Sequence, residues 1–82
     1  MPRFMDVHEG FVGVTKEQFQ AAHELDLAIQ AEERVSFDQA WLDPASGMAF
    51  CLATGPDIDA VKRIHQRAGH PASRVVQIAF EV

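Results

Sequence analysis

The spacing of hydrophobic and polar positions divides the chain into short segments, most of them with strand character. In the first segment, Phe4, Asp6 and His8 share one face of an extended chain, and Met5 and Val7 share the other. Further segments repeat this two-residue period or form a short apolar run between turn residues. The pattern therefore predicts four strands, at residues 4–9, 35–43, 48–53 and 74–81.

Two longer segments have the spacing of amphipathic helices. Thr15 and Gln18 match a capping box, which predicts a helix from there to about Glu33. Pro56 is favourable at the first position of the second helix, and Gly69 is a suitable residue to end it. The predicted apolar stripes are Phe19, Ala22, Leu25 (or Asp26 beside it) and Ile29 in the first helix, and Ile58, Val61, Ile64 and Ala68 in the second.

The resulting element order is β-α-β-β-α-β, within one domain spanning residues 1–82. Two βαβ-like halves with right-handed crossovers predict a ferredoxin-like α+β fold. In this topology a four-stranded, antiparallel-type sheet carries both helices on one face. The first strand is expected to lie in the centre, between the third and the fourth.

One face of the predicted sheet has no helix to cover it. In the second strand, Val35, Phe37 and Trp41 are expected to share a face. We expect that face, together with Phe4 and part of the third strand, to form an exposed apolar patch. A second copy packed sheet to sheet would cover it, so the sequence predicts a homodimer through the sheet face.

The composition limits the classes of partner. Twelve acidic against seven basic residues give a net charge of −5, which argues against nucleic acid and anionic membranes. No apolar run approaches the roughly 20 residues that cross a bilayer. The first residues lack the apolar core of a signal peptide, and we expect a cytoplasmic protein. A single cysteine, Cys51, excludes an intramolecular disulfide and a thiolate-rich metal site within one chain.

Histidines are the candidate metal ligands of this chain. Imidazole binds Ni(II), Zn(II) and Cu(II), with carboxylates and water completing the shell. The spacing matches neither a zinc finger nor a His-Glu-x-x-His helix, so a site must combine separate elements or two subunits. Each histidine also has a structural or solvated interpretation, and Cys51 is either a soft ligand or a small buried residue. The candidate ligands are His8 and His65 first, then His70 and His23, with Asp6 beside His8.

Three other functions are consistent with the fold alone. RNA binding requires paired aromatic residues and a basic surface, which the sequence lacks. Copper(I) transfer requires two cysteines after the first strand, and that loop, residues 9–13, has none. A dimeric α+β barrel enzyme, or a module that binds a small ligand between subunits, would use Asp6 and His8 in an enclosed pocket of several hundred cubic ångströms. No nucleophile, base and orienting group can be assembled, so we expect no catalysis.

One block of the sequence resembles a known family. Residues 50–69 read FCL-x-x-GPD-x-x-AV-x-x-x-H-x-x-AG, and the likeness extends to His8, Asp26, Trp41 and residues 71–75. This resembles a family of short single-domain ferredoxin-like proteins, long of unknown function, with nickel-binding members. The resemblance implies a homodimer that binds Ni²⁺ and sequesters, buffers or detoxifies it. The residue types alone would bind copper(II) at least as well.

Overall fold

Two helices lie against one face of a four-stranded antiparallel sheet. The computed structural model describes residues 1–82, with strand order β2-β3-β1-β4. The predicted ferredoxin-like fold is confirmed, including the central position of the first strand. No helix is long and apolar enough to cross a membrane. The elements are β1 (Arg3–His8), α1 (Lys16–Ile29), a 3₁₀ turn (Gln30–Glu33), β2 (Ser36–Asp43), β3 (Met48–Thr54), α2 (Ile58–Arg67) and β4 (Arg74–Ile78).

The helix ends follow local capping chemistry. The capping box of α1 is confirmed: the Gln18 amide donates to Thr15 Oγ1 at 3.1 Å, and the Thr15 amide donates to Gln18 Oε1 at 2.9 Å. In α2 the N-cap is Asp57, whose side chain accepts from the Ala60 amide at 2.8 Å. Pro56 therefore precedes the cap and is not the first helical residue, because a carboxylate satisfies a free amide and proline cannot.

The hydrophobic core lies between the sheet and the helices. Phe4 of β1 and Phe37 of β2 are 1% and 5% exposed, and both belong to one buried cluster with the apolar residues of α2. The prediction that Phe4 and Phe37 belong to an uncovered patch is wrong. The alternation in β1 was correct, but the helices cover the face of Phe4, Asp6 and His8 and leave the face of Met5 and Val7 open.

A β-bulge in β2 explains the second misassignment. The register with β3 shifts between Phe37 and Gln39, so one extra residue separates the two halves of the strand. A one-residue shift moves every later side chain to the opposite face. Phe37 therefore points into the core, whereas Trp41 pairs with Phe50 on the other face and is 45% exposed.

The other face of the sheet, here called the open face, carries eight apolar side chains together with polar ones such as Arg3, Gln39 and Arg74. Met5 of β1 pairs with Leu52 of β3 on one side and with Val76 of β4 on the other, so it lies between these two residues. Leu52 is 7% exposed because its neighbours surround it, but Trp41 and Val76 are 45% and 43% exposed. The apolar side chains of the open face are Met5, Val7, Trp41, Met48, Phe50, Leu52, Val76 and Ile78.

Candidate metal centre

The first strand brings Asp6 and His8 into the interior. Two residues apart, they follow Phe4 on the helix-covered face of β1, and they are 0% and 3% exposed. Charged and polar side chains at such positions are rare unless they are paired, since removing them from water is costly. The central strand therefore delivers a carboxylate and an imidazole to the layer between sheet and helices.

The two helices contribute one polar residue each to the same layer. Asp26 of α1 is 2% exposed, while its neighbour Leu25 is 53% exposed, so of the two positions that the sequence allowed for the buried stripe of α1 the structure selects Asp26. His65 of α2 is fully buried beside Ile64. Each helix therefore places one titratable group in the buried layer.

His65 joins the two carboxylates. Its Nδ1 lies 3.0 Å from Asp26 Oδ1, and its Nε2 lies 2.9 Å from Asp6 Oδ2. Burial alone would lower the pKa of His65, but the hydrogen bonds to Asp26 and Asp6 outweigh it and raise the pKa to about 11. The ring is therefore an imidazolium that donates from both nitrogens, and neither nitrogen has a free lone pair in this arrangement.

His70 approaches Asp26 from the loop after α2. Gly69, with φ of 87°, ends the helix in the left-handed conformation as predicted, and the His70 amide donates to the His65 carbonyl oxygen at 3.0 Å. This turn directs the His70 ring back into the fold, where Nε2 lies 2.9 Å from both oxygens of Asp26. Asp26 thus contacts two imidazoles at once.

The pKa values of the two carboxylates reflect these contacts. Burial raises the pKa of Asp6, but the hydrogen bond from His65 and the adjacent His8 ring lower it below its ordinary value. Burial also raises the pKa of Asp26, but the hydrogen bonds with His65 and His70 outweigh this effect and lower the pKa below its ordinary value. Both groups are therefore carboxylates at neutral pH, and they lie on either side of the His65 imidazolium.

His8 differs from the other buried imidazoles because it has no hydrogen-bond partner. Its Nε2 is 3.0 Å from Asp6 Oδ1, but the ring N–H is not aligned with that oxygen, and Nδ1 has no polar neighbour in range. His23 of α1 also has a buried Nδ1 without a partner. All of the buried side-chain polar atoms without a hydrogen bond belong to Asp6, His8 and His23. Such atoms are uncommon in folded proteins, and a bound ion is one of the explanations for them.

A small cavity lies where these side chains meet. Its volume is about 10 Å³, which is enough for one water-sized occupant. Its rim includes Phe11 and Phe19, whose ring centroids are 6.3 Å apart. The full lining is His8, Phe11, Phe19, Ala22, His23, Asp26, Cys51 and His70.

The loop that carries Phe11 is fixed by the β2–β3 turn. The Phe11 amide donates to the Gly47 carbonyl oxygen at 2.9 Å, and the Gly13 amide donates to that of Pro44 at 3.0 Å. Gly47 has φ of 76°, and a Cβ there would lie 2.6 Å from Val12. Only glycine permits this close approach, so the turn holds Phe11 above the His8 ring, 6.0 Å away between centroids.

The fit to a divalent transition metal rests on the donor set. Two groups of side chains could each hold an ion, because within each group all donor atoms lie within 4.8 Å of one another. His65 belongs to both groups, which are Asp6, His8, Cys51 and His65, and Asp26, His65 and His70. Nitrogen, oxygen and sulfur donors of these types are those that nickel, zinc and copper take in proteins. The atoms without hydrogen bonds, Asp6 Oδ1 and His8 Nε2, are close enough to share one ion at the usual bond length of about 2.0–2.2 Å.

Each sequence-predicted ligand has a defined place in this arrangement. Asp6, His8, His65 and His70 fall within the two donor groups, and His23 lines the cavity beside them. Asp26 was not among the predicted ligands, although it joins His65 to His70. One signal in the sequence could have identified Asp26 as a site residue. The helical period allows position 26 to lie in the buried stripe, and the residue at that position is a carboxylate.

Comparisons with known proteins identify the family of this chain. No curated protein matches the chain. The crystal structure of SCO4226 from Streptomyces coelicolor A3(2) is similar with a TM-score of 0.96 and 48% sequence identity, over 98% of this chain and 99% of that one. The model of the family described as nickel responsive protein SCO4226-like matches residues 4–78. The chain belongs to this SCO4226-like family, as the resemblance in its sequence implied.

Proposed function

We propose that this protein binds a divalent transition metal ion, nickel foremost, in the cavity between the sheet and the two helices. The single observation that carries the proposal is the buried pair of Asp6 Oδ1 and His8 Nε2, 3.0 Å apart and without hydrogen bonds. Burying a carboxylate oxygen and an imidazole nitrogen without hydrogen bonds is costly, and an ion between them would offset that cost. The description of the family as nickel-responsive supports nickel as the ion.

The residues around the cavity have different roles in this proposal. His8 and Asp6 are the leading ligands, because their donor atoms are free. His23 has a free Nδ1 on the same cavity, and His70 needs only to leave Asp26 in order to join. His65 is a positioning residue, since both of its nitrogens hold carboxylates in place. Outer contacts of this kind orient metal ligands.

We infer sequestration or buffering of the ion and no catalysis. The cavity of about 10 Å³ accepts an ion or a water molecule and no organic substrate. Asp6 and His8 also point toward the helices, so they would not line a pocket between two open faces, where a dimeric barrel enzyme would have its site. The net charge of −5 favours cations over anionic substrates.

Titration calorimetry on metal-free protein tests the proposal. We expect saturable nickel binding at pH 7.5, with His8→Ala and Asp6→Asn each reducing the affinity by at least about tenfold. Asp59→Asn is the matched control, since it removes an exposed carboxylate at the start of α2 and should leave binding unchanged. Parallel titrations with zinc and copper rank the ions, and copper(II) is expected to bind at least as tightly as nickel.

Two results would contradict the proposal. Wild-type protein that takes up no nickel at millimolar concentration would remove the function itself. Affinity that is unchanged in His8→Ala and in Asp6→Asn would show that nickel binds elsewhere on the chain. Binding should also weaken between pH 7.5 and pH 5.5, because protons compete with the ion for imidazole nitrogens.

We further propose that two copies pair through their open faces. Eight of the side chains on this face are apolar, and Trp41 and Val76 remain nearly half exposed in the single chain. Exposed apolar patches of this kind are typical of protein interfaces, and tryptophan is enriched at their energetic centres. The pairing would leave the metal centre intact within each chain, on the opposite side of the sheet.

A further inference from the structure

Cys51 lines the cavity and carries a sulfur atom that could bind a metal, but it is not among the ligands proposed above. It lies on β3 directly opposite Asp6 of β1, so the pleat directs both side chains toward the helices. The side chain is 4% exposed and lines the same cavity as His8. Its Sγ is within 4.8 Å of the donor atoms of Asp6, His8 and His65.

A buried cysteine is usually a small core residue, and a second observation distinguishes this one. His8 is 97% buried, faces the same cavity and has no hydrogen-bond partner at either ring nitrogen. A sulfur donor and an unpaired nitrogen donor therefore share one enclosed space, next to a carboxylate oxygen that also lacks a partner. Cys51 contacts the apolar core on one side and this polar space on the other.

We propose that Cys51 binds the ion as a thiolate and sets the preference of the site for nickel, zinc and copper over manganese and magnesium. This inference rests on the proposed metal-binding function. On coordination one S–H bond breaks and one sulfur–metal bond forms, while the proton passes to solvent and no oxidation state changes. Thiolate is a soft ligand, and its contribution is largest for the later and softer divalent ions.

Near-ultraviolet spectroscopy of the wild-type protein, titrated with nickel beside calorimetry, tests the assignment. A bound thiolate is expected to produce a sulfur-to-metal charge-transfer band that saturates at the same nickel-to-protein ratio as the heat. Since Cys51 is the only cysteine, a thiolate band has one possible source. A phosphine reductant keeps the thiol reduced without adding a competing one.

Variants separate the sulfur from the rest of the site. We expect Cys51→Ser to abolish the band, to lower nickel affinity at least about tenfold, and to reduce the ratio of nickel to manganese affinity. Met48→Leu removes a sulfur from the open face and is expected to keep both band and affinity. If Cys51→Ser does not fold, as judged by circular dichroism, the wild-type spectrum alone decides.

The failures of the two proposals are distinguishable. Stoichiometric nickel binding without a charge-transfer band, or with affinity unchanged in folded Cys51→Ser, overturns the role of Cys51 and leaves the metal site standing. Absence of nickel binding in calorimetry overturns the metal site and this inference together.

Discussion

The two faces of the sheet depart from the usual distribution of polarity in different ways. Beside its apolar core, the helix-covered face buries two carboxylates and two imidazoles, and Asp6 and His65 are completely inaccessible. The open face exposes apolar side chains that include Trp41 and Val76. In a stable monomer with no ligand, charged groups are expected to lie in water and large apolar side chains in the core.

These two departures indicate that each face has a specific requirement. Burying a polar layer with unpaired atoms destabilises the fold, so such a layer is expected where an ion or a proton occupies it. Exposing a large apolar face to water is unfavourable, so such a face is expected where another surface covers it. The predictions below change one face at a time, and the other face should remain unaffected.

The largest expected effect comes from breaking the charge balance of the covered face. Asp26→Ala leaves the His65 imidazolium with a single carboxylate and removes the partner of His70. Loss of one member of a buried pair typically costs about 3–5 kcal/mol, a large share of the stability of a domain of this size. Urea unfolding of metal-free protein measures the change, and Glu24→Ala, exposed on the same helix, is the control. A shift in midpoint as small as that of the control would show that the network does not stabilise the fold.

The next effect should come from filling the covered face with nickel. At free nickel 100 times the dissociation constant, binding to the folded state alone adds about 2.7 kcal/mol to the free energy of unfolding. Thermal or urea denaturation with nickel, and again with excess chelator, measures the gain. The gain should vanish in His8→Ala and persist in Trp41→Lys, because Trp41 lies on the other face. A gain that depended on Trp41 instead would place the ion at the subunit interface.

A charge on the open face should act on assembly. We expect a homodimer at tens of micromolar, and Trp41→Lys should weaken it by about 2 kcal/mol or more, about 30-fold in dissociation constant. Leu25→Lys makes the same change at an exposed apolar residue of α1, outside the open face, and should leave the dimer intact. Sedimentation equilibrium distinguishes the two variants. A wild-type protein that remains monomeric at this concentration would contradict the pairing.

The sequence predicted the helices and strands well, and it predicted less well on which face of an element each side chain lies. Periodicity and capping residues are local, so the six main elements and the central position of β1 could be predicted. The face of Trp41 depends on a bulge near Asp38, which a simple two-residue period does not reveal. The burial of Asp26 depends on partners 39 and 44 residues away in sequence, His65 and His70. Local hydrophobicity favoured Leu25 for the core, because the pairing that makes a buried carboxylate tolerable exists only in the folded chain.

The effect that is smallest per step of the measurement, and the sharpest test of the covered face, is the dependence of stability on alkaline pH. In the unfolded chain His65 has an ordinary pKa of about 6.5, and in the folded protein its pKa is raised to about 11. Its contribution to stability is therefore complete below about pH 6.5 and is lost as the pH rises through about 11. Between these limits the unfolded chain has released the proton and the folded protein retains it. Metal-free protein should then lose up to about 1.4 kcal/mol per pH unit from this residue.

Asp6 and Asp26 act at the other end of the pH range. Their folded-state pKa values lie below 3.8, so their contribution is present above that pH and is lost as the pH falls through the lowered values. Urea midpoints of metal-free protein between pH 7 and pH 10 isolate His65 from both. His65→Gln should flatten the alkaline slope relative to wild type, whereas His23→Gln, which removes a histidine without a carboxylate contact, should retain it. Parallel slopes for wild type and His65→Gln would mean that the ring between the carboxylates is neutral, and that the covered face carries two unbalanced negative charges.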